Sequence, residues 1–407
     1  MRQQVNSAQL SNSGKWAFIL SLLLVFSISA EYRVVVSGLL IHPFLLALPL
    51  AIFFTGDIQS VSNRVTIPLF VFFFLFSVGS LQNDNPLLEI FKVGSSVITF
   101  LFFASSVKSE KDFRWISWGF VMVAFAIGII GFSLGQEIGG GKRLEGINSL
   151  EGLGNKNAQS LFTLPGLFLG VWLLLTYIRR TKWVAAGTLI VAIFFITVQL
   201  FLSANRSGWL GLAVIFISFF FYSGFRRTTI FIGAGIIFFA YLAIEKYASD
   251  IVERKREQTV GGYASDEGRQ LLMKESFLVG IAHPILGIGK DELHREMARR
   301  LRVNRIGIKL VDTHFLFGYI FGATGLFALL AFLFFLLRLM DKERLVPLYS
   351  KVQLDRIHFM VISFVMLFVI RSIFSREILY SPTFIGGLGL VYGYYKMKAR
   401  NAWSTSQ

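Results

Sequence analysis

Long apolar runs recur along this chain, each close to the length an α-helix needs to cross a bilayer, and most are separated by short polar connections. A spanning helix takes about 20 mostly apolar residues, because the hydrocarbon core is about 30 Å thick and a helix rises about 1.5 Å per residue. The runs fall at 15–31, 34–54, 65–81, 87–107, 115–134, 158–178, 183–203, 207–224, 228–246, 314–338, 357–374 and 379–396, about twelve expected spans. Composition agrees: 54% of the 407 residues are hydrophobic and 16% charged, against about a quarter charged in soluble domains. A soluble enzyme, a disordered chain and a small secreted domain are excluded. The expected fold is an all-α polytopic membrane protein.

The formal net charge of +16 does not point to nucleic acid once its distribution is read. Alternate connections are basic: Lys108, Lys111 and Arg114; Arg179, Arg180 and Lys182; Arg226 and Arg227; Arg338, Lys342, Arg344, Lys351 and Arg356; then Lys396, Lys398 and Arg400 at the C-terminus. The opposite short connections are poor in Lys and Arg, and Gln82 to Asn85 has none. Basic loops stay cytoplasmic, so both termini are expected in the cytoplasm. The run from about Trp16 to Ala30 enters Glu31-Tyr32-Arg33 without a small-residue cleavage pattern and is expected to be the first span rather than a signal peptide. Three regions follow: 1–246 with spans 1–9, a partly helical periplasmic loop domain at 247–313, and 314–407 with spans 10–12 and a cytoplasmic tail. The loop domain is basic yet outside, which the rule permits because long loops translocate largely regardless of charge.

Cysteine is absent, which removes disulfides, thiolate nucleophiles and Cys-ligated zinc. The chemistry must come from other polar groups near the outer helix ends. Ser203-Ala204-Asn205-Arg206-Ser207-Gly208 separates two apolar runs. Arg206 either snorkels to headgroups or presents a planar guanidinium fork to a phosphate. Gly268-Arg269 opens an expected helix that His283-Pro284-Ile285-Leu286-Gly287-Ile288-Gly289 ends, since Pro stops a helix and glycine permits a sharp turn. His283 reads as a capping or solvated residue. Leu293, Met297 and Leu301 then recur at helical spacing, and Arg295, Arg299, Arg300, Arg302, Arg305 and Lys309 make six basic residues against one acid, Glu296. That amphipathic stretch is a lipid anchor or a docking surface for a phosphorylated glycolipid, with Arg295, Arg299 and Arg302 as the docking residues.

His314 follows Asp312-Thr313 at the start of the tenth span. It caps the helix or accepts a proton. It shares the expected outer side with Arg206 and Arg269, and two cations beside one proton acceptor suit glycosyl transfer from a diphosphate donor. The pairs Glu89 with Lys92 and Arg371 with Glu377 read as internal ion pairs, Asn155-Lys156-Asn157 as a helix cap, and His42 as a satisfied polar residue. Gly139-Gly140-Gly141-Lys142-Arg143 lacks the strand-to-helix context of a phosphate loop.

As an ordered set, Asn155-Lys156-Asn157-Ala158, Ser203 to Gly208, Gly268-Arg269 through Gly289, and His314 with Gly325-Leu326 resemble bacterial O-antigen ligases and O-antigen polymerases over about residues 150–340. The resemblance implies a metal-independent, cofactor-free, inverting glycosyltransferase at the periplasmic face of the inner membrane. Its donor would be an undecaprenyl-diphosphate-linked glycan and its acceptor lipid A core for a ligase, or another lipid-linked repeat for a polymerase. Carried over by position, Arg206 and Arg269 would bind the diphosphate and His314 would serve the acceptor. Phe315 stands where the family often has Asn, and Ala323 where an acid is common. The basic stretch after Arg295 suits a phosphate-rich core and inclines the reading to a ligase. A polysaccharide flippase would need polar residues through the midplane of several helices, whereas here they cluster at outer ends.

Overall fold

The computed structural model describes residues 10–27, 34–36, 39–41, 43–55, 61–133, 137–138, 141–142, 156–202, 206–223, 235, 265–301, 315–341 and 348–404. Its helices are α1 (Asn12–Leu23), α2 (Pro43–Thr55), α3 (Asn63–Ser80), α4 (Pro86–Ser106), α5 (Glu110–Ser133), α6 (Lys156–Arg179), α7 (Trp183–Leu202) and α8 (Arg206–Ser223). They continue as α9 (Ser265–Ala282), α10 (Lys290–Arg300), α11 (Leu316–Thr324), α12 (Leu326–Leu339), α13 (Leu348–Phe374) and α14 (Pro382–Ser404), with a short 3-10 helix at Arg376–Tyr380. Spans within α3, α4, α5, α6 and α7 are long and apolar enough to cross a membrane, and shorter apolar stretches lie in α2, α8 and α12. The expected ninth span at 228–246 and His42 lie outside the described residues, except for residue 235.

Two expected spans are corrected. Residues 34–54 are not one helix: Val34–Val36 pairs antiparallel with Leu39–Ile41, and α2 starts only at Pro43. Consecutive β-branched valines favour extended chain, and proline suits a first helical position. The tenth span, expected at 314–338, is broken. Gly325 (φ +87°) ends α11 and begins α12 in a conformation that L side chains rarely adopt. A second small antiparallel pair joins Glu137–Ile138 to Gly141–Lys142.

Apolar side chains lie both inside and on the outer surface of the bundle. Phe53, Phe74, Val184, Val191 and Leu337 are more than half exposed, as helices facing lipid require. Inside, phenylalanines interlock across helices: Phe72 with Phe332 at 4.9 Å, Phe332 with Phe368 at 6.1 Å, and Phe100 with Phe335 at 5.3 Å between ring centroids. Lipid tails are as apolar as these rings, so close packing rather than escape from water holds the helices together. The α4–α14 seam shows how. A Cβ on Gly389 would lie 2.4 Å from the Phe100 carbonyl oxygen, and one on Gly393 the same distance from that of Ala104. Helix α6 is enclosed by α5, α7, α8 and α14.

The connections gather at two ends. Those around Asn83, Lys290 and Tyr380 meet at one, through Asn83 and Glu89. Those around Glu110, Arg180 and Lys398 meet at the other, through the Glu110 carboxylate.

Candidate functional site

Helices α9 and α10 stand at the Glu89 end, and the turn between them fastens to the broken span. Gly287 and Gly289 have φ of +66° and +76°. A Cβ on Gly287 would come within 2.4 Å of the Ala323 carbonyl carbon, so glycine is required by both conformation and contact. The Ile288 N–H donates to the Gly322 carbonyl at 3.1 Å, and the Gly289 N–H to that of Ala323 at 3.0 Å. In return the Leu326 N–H donates to the Pro284 carbonyl at 2.7 Å. A helix break near the membrane leaves polar backbone groups that lipid cannot satisfy; here the turn satisfies three of them. His283 is exposed, and its carbonyl accepts from the Gly287 N–H at 3.1 Å.

Next to this turn lies a polar network that the sequence showed only in part. The Glu89 carboxylate, buried in the first turn of α4, receives Lys92 Nζ at 3.0 Å and Lys290 Nζ at 2.8 Å on Oε1. On Oε2 it receives the Tyr380 hydroxyl at 2.9 Å. With that proton committed, Tyr380 accepts from the Tyr319 hydroxyl at 3.1 Å. The Arg376 guanidinium lies 4.9 Å from the Tyr319 ring and donates to His294 Nε2 at 3.1 Å. One carboxylate thereby ties α4, α10, α11 and the 3-10 helix together. The pairing of Glu89 with Lys92 was legible as a three-residue spacing on one helix. Lys290 and Tyr380 lie 201 and 291 residues away and carried no local signal. Arg371, the other charge singled out with Glu377, is fully buried in α13.

A direct consequence concerns stability. Glu89→Ala removes the carboxylate and leaves two ammonium groups facing one another at the foot of α10. We expect a loss of roughly 3 kcal/mol, at the low end for broken buried pairs because both lysines keep partial access to water. Limited proteolysis should cut the α9–α10 segment faster in this variant; an unchanged cleavage rate would remove Glu89 from its role as anchor.

The basic helix turns its apolar stripe inward. Leu293 and Met297 are fully buried, and a Cβ on Gly322 of α11 would meet Leu293 Cδ1 at 2.8 Å. Docking through the apolar stripe is therefore closed to α10, which offers only its polar face. That face is internally paired. Arg295 meets Asp84 at 2.9 Å and Glu292 at 3.2 Å, while Arg299 meets Glu292 and Glu296, both at 3.1 Å. Partial burial pushes the Glu296 carboxyl up, but hydrogen bonds and charge from Arg300 and Arg299 prevail and hold it below its ordinary value. Arg302 lies outside the described residues.

Arg206 is the first residue of α8 and Arg269 the fifth of α9; the structure describes their backbone but not their side chains. His314 lies outside the described residues. Phe315, the next residue, is buried against Phe277 of α9, with ring centroids 5.4 Å apart. Phe277 is eight residues after Arg269, roughly 12 Å along a helix. Helix α8 runs against α6 and α13, and Gly211 seats on Leu164. Phe315 packs against Phe277 and Phe317, and the Ala323 backbone carbonyl accepts from the docked turn.

Residues 191–333 match the protein family described as O-antigen ligase. The matched segment takes in Arg206, Arg269, the His283–Gly289 turn, α10, His314 and the break at Gly325, and it excludes Asn155–Asn157. No curated protein matches the chain.

Proposed function

We propose that this chain, whose residues 191–333 match the family described as O-antigen ligase, is an inner-membrane glycosyltransferase moving an undecaprenyl-diphosphate-linked glycan to a sugar hydroxyl of lipid A core. The observation that carries the reading is the family match over one continuous segment that contains Arg206, Arg269 and His314 together. The active site is periplasmic, at the Glu89 end of the bundle, and both termini are cytoplasmic. Residues 1–246 and 314–407 form the membrane part, and 247–313 the periplasmic part. The gathering of alternate connections at opposite ends of α4 supports this orientation.

The reaction is a displacement at the anomeric carbon. The acceptor hydroxyl oxygen forms the new C–O bond as the bond to the diphosphate breaks. The hydroxyl proton passes to His314, and the electron pair leaves with undecaprenyl diphosphate. Arg206 and Arg269 hold that diphosphate, and attack from the opposite face inverts the anomeric centre. No metal or cofactor enters the step, because guanidinium groups supply the positive charge that the leaving group needs.

An O-antigen polymerase is the second reading, favoured by the carboxylates that already occupy Arg295 and Arg299. A polymerase needs no basic docking surface for a phosphorylated core. Incubating the purified protein with lipid-linked glycan and lipid A core, separately and together, decides between them. A longer glycan on lipid A core, formed only with both present, is the expected result. Chain extension without the core would make the protein a polymerase, and no transfer in any mixture would sink both readings.

A further inference from the structure

At the end of the bundle away from Glu89, four helices enclose a cavity of about 240 Å³. Its charged lining is Glu110 and Arg114 from α5, Arg179 and Arg180 from α6, Arg356 from α13 and Lys398 from α14. Five cations against one carboxylate leave a formal charge of +4 in a concave site. The carboxylate is already engaged: Glu110 pairs with Arg180 at 2.6 Å and with Lys398. Among the described residues neither Arg114 nor Arg356 meets a carboxylate; Arg114 Nε only donates to the Glu110 backbone carbonyl at 3.3 Å. Trp172 also lines the cavity. It is 8% exposed. Surplus positive charge in a concave site asks for an anion.

Arg114 also lines a second cavity, of about 410 Å³, with Lys111, Trp115, Trp118, Tyr177 and Lys182. The Trp118 indole donates to the Tyr177 hydroxyl at 2.9 Å, and Trp115 and Met122 stand 44% and 51% exposed on the outer face of α5. Tryptophan, tyrosine and lysine together mark the boundary between headgroups and acyl chains. Basic pockets between helices at that boundary suit anionic headgroups. The anion that reaches Arg114 from there belongs to a lipid rather than to a free solute.

We propose that this end of the protein holds an anionic phospholipid, its phosphate between Arg114 and Arg356 above Trp172 and its acyl chains along Trp115 and Met122. In the orientation given above it is a lipid of the cytoplasmic leaflet. The site lies at the opposite end of the bundle from the proposed transfer chemistry, so its test reads lipid binding without glycosyl transfer and neither proposal depends on the other.

Native mass spectrometry of the full chain in detergent, titrated with dioleoylphosphatidylglycerol or dioleoylphosphatidylcholine, provides the test. The wild type should prefer phosphatidylglycerol by about tenfold or more, the scale of one charge-assisted contact. Arg114→Gln combined with Arg356→Gln should abolish that preference. Arg338→Gln, an exposed residue paired with Asp341, should leave it intact. Arg114→Gln alone removes one of the two proposed phosphate contacts, so it should weaken phosphatidylglycerol binding severalfold even if the double variant fails to fold. Equal binding of the two lipids, or a preference unchanged in both test variants, overturns the proposal. So does full displacement of the lipid by inorganic phosphate at millimolar concentration, which would make this a site for free phosphate.

Discussion

His314→Ala should lower turnover by about 10²–10⁴, the usual contribution of a general base, while leaving donor affinity nearly intact. The argument is one of charge. A diphosphate leaving group already carries its negative charge and, held by two arginines as proposed, has little need of a general acid. A sugar hydroxyl has a far higher pKa and gains from a base as its bond to the anomeric carbon forms. Turnover and the affinity for lipid-linked donor, measured on the same preparation, separate the roles. Loss of donor binding in a folded His314→Ala protein would move His314 into the diphosphate pocket.

The second large effect concerns the guanidinium forks. Arg206→Lys and Arg269→Lys keep the charge but lose the planar pair of donors that matches a phosphate edge. Each should lose about 10²–10³ in rate, corresponding to about 2.7–4 kcal/mol of transition-state stabilisation. Arg269→Ala should in addition weaken donor binding itself, the reverse of the His314→Ala pattern. Near-normal turnover in well-expressed lysine variants would return both residues to structural roles. Arg206 opens α8 and Arg269 lies in the first turns of α9, so circular dichroism of each variant controls for loss of a helix end.

The broken tenth span bears on both predictions. A continuous helix from His314 onward would leave the α9–α10 turn without a seat. The break at Gly325 instead offers carbonyls to Ile288 and Gly289 and takes one from Pro284. Because this clamp and the Glu89 network both fix α9 and α10 to the bundle, the segment carrying Arg269 and the chain entering α11 are held in a common frame.

What the sequence by itself determined is what short-range physics writes into it. Bilayer thickness sets the length of an apolar run, so spans such as those in α3 to α7 were readable within a few residues. The clustering of lysine and arginine in alternate connections was readable in the same way. The order of Arg206, Arg269, the Pro-Gly turn and His314 was enough to point to a family. Tertiary structure alone decided the rest. The hydropathy of 314–338 is continuous, and its break at Gly325 became visible only with the 283–289 turn docked on it. Leu293 and Met297 had the spacing of a membrane-surface helix, yet their face is spent on a neighbouring helix. Glu89 reaches partners 201 and 291 residues away, and the cationic cavity draws on α5, α6, α13 and α14. Hydrophobic length and charge placement act along the chain and leave a local record. Hydrogen bonds and ion pairs act over a few ångströms in space, so partners hundreds of residues apart are set by packing and leave no such record.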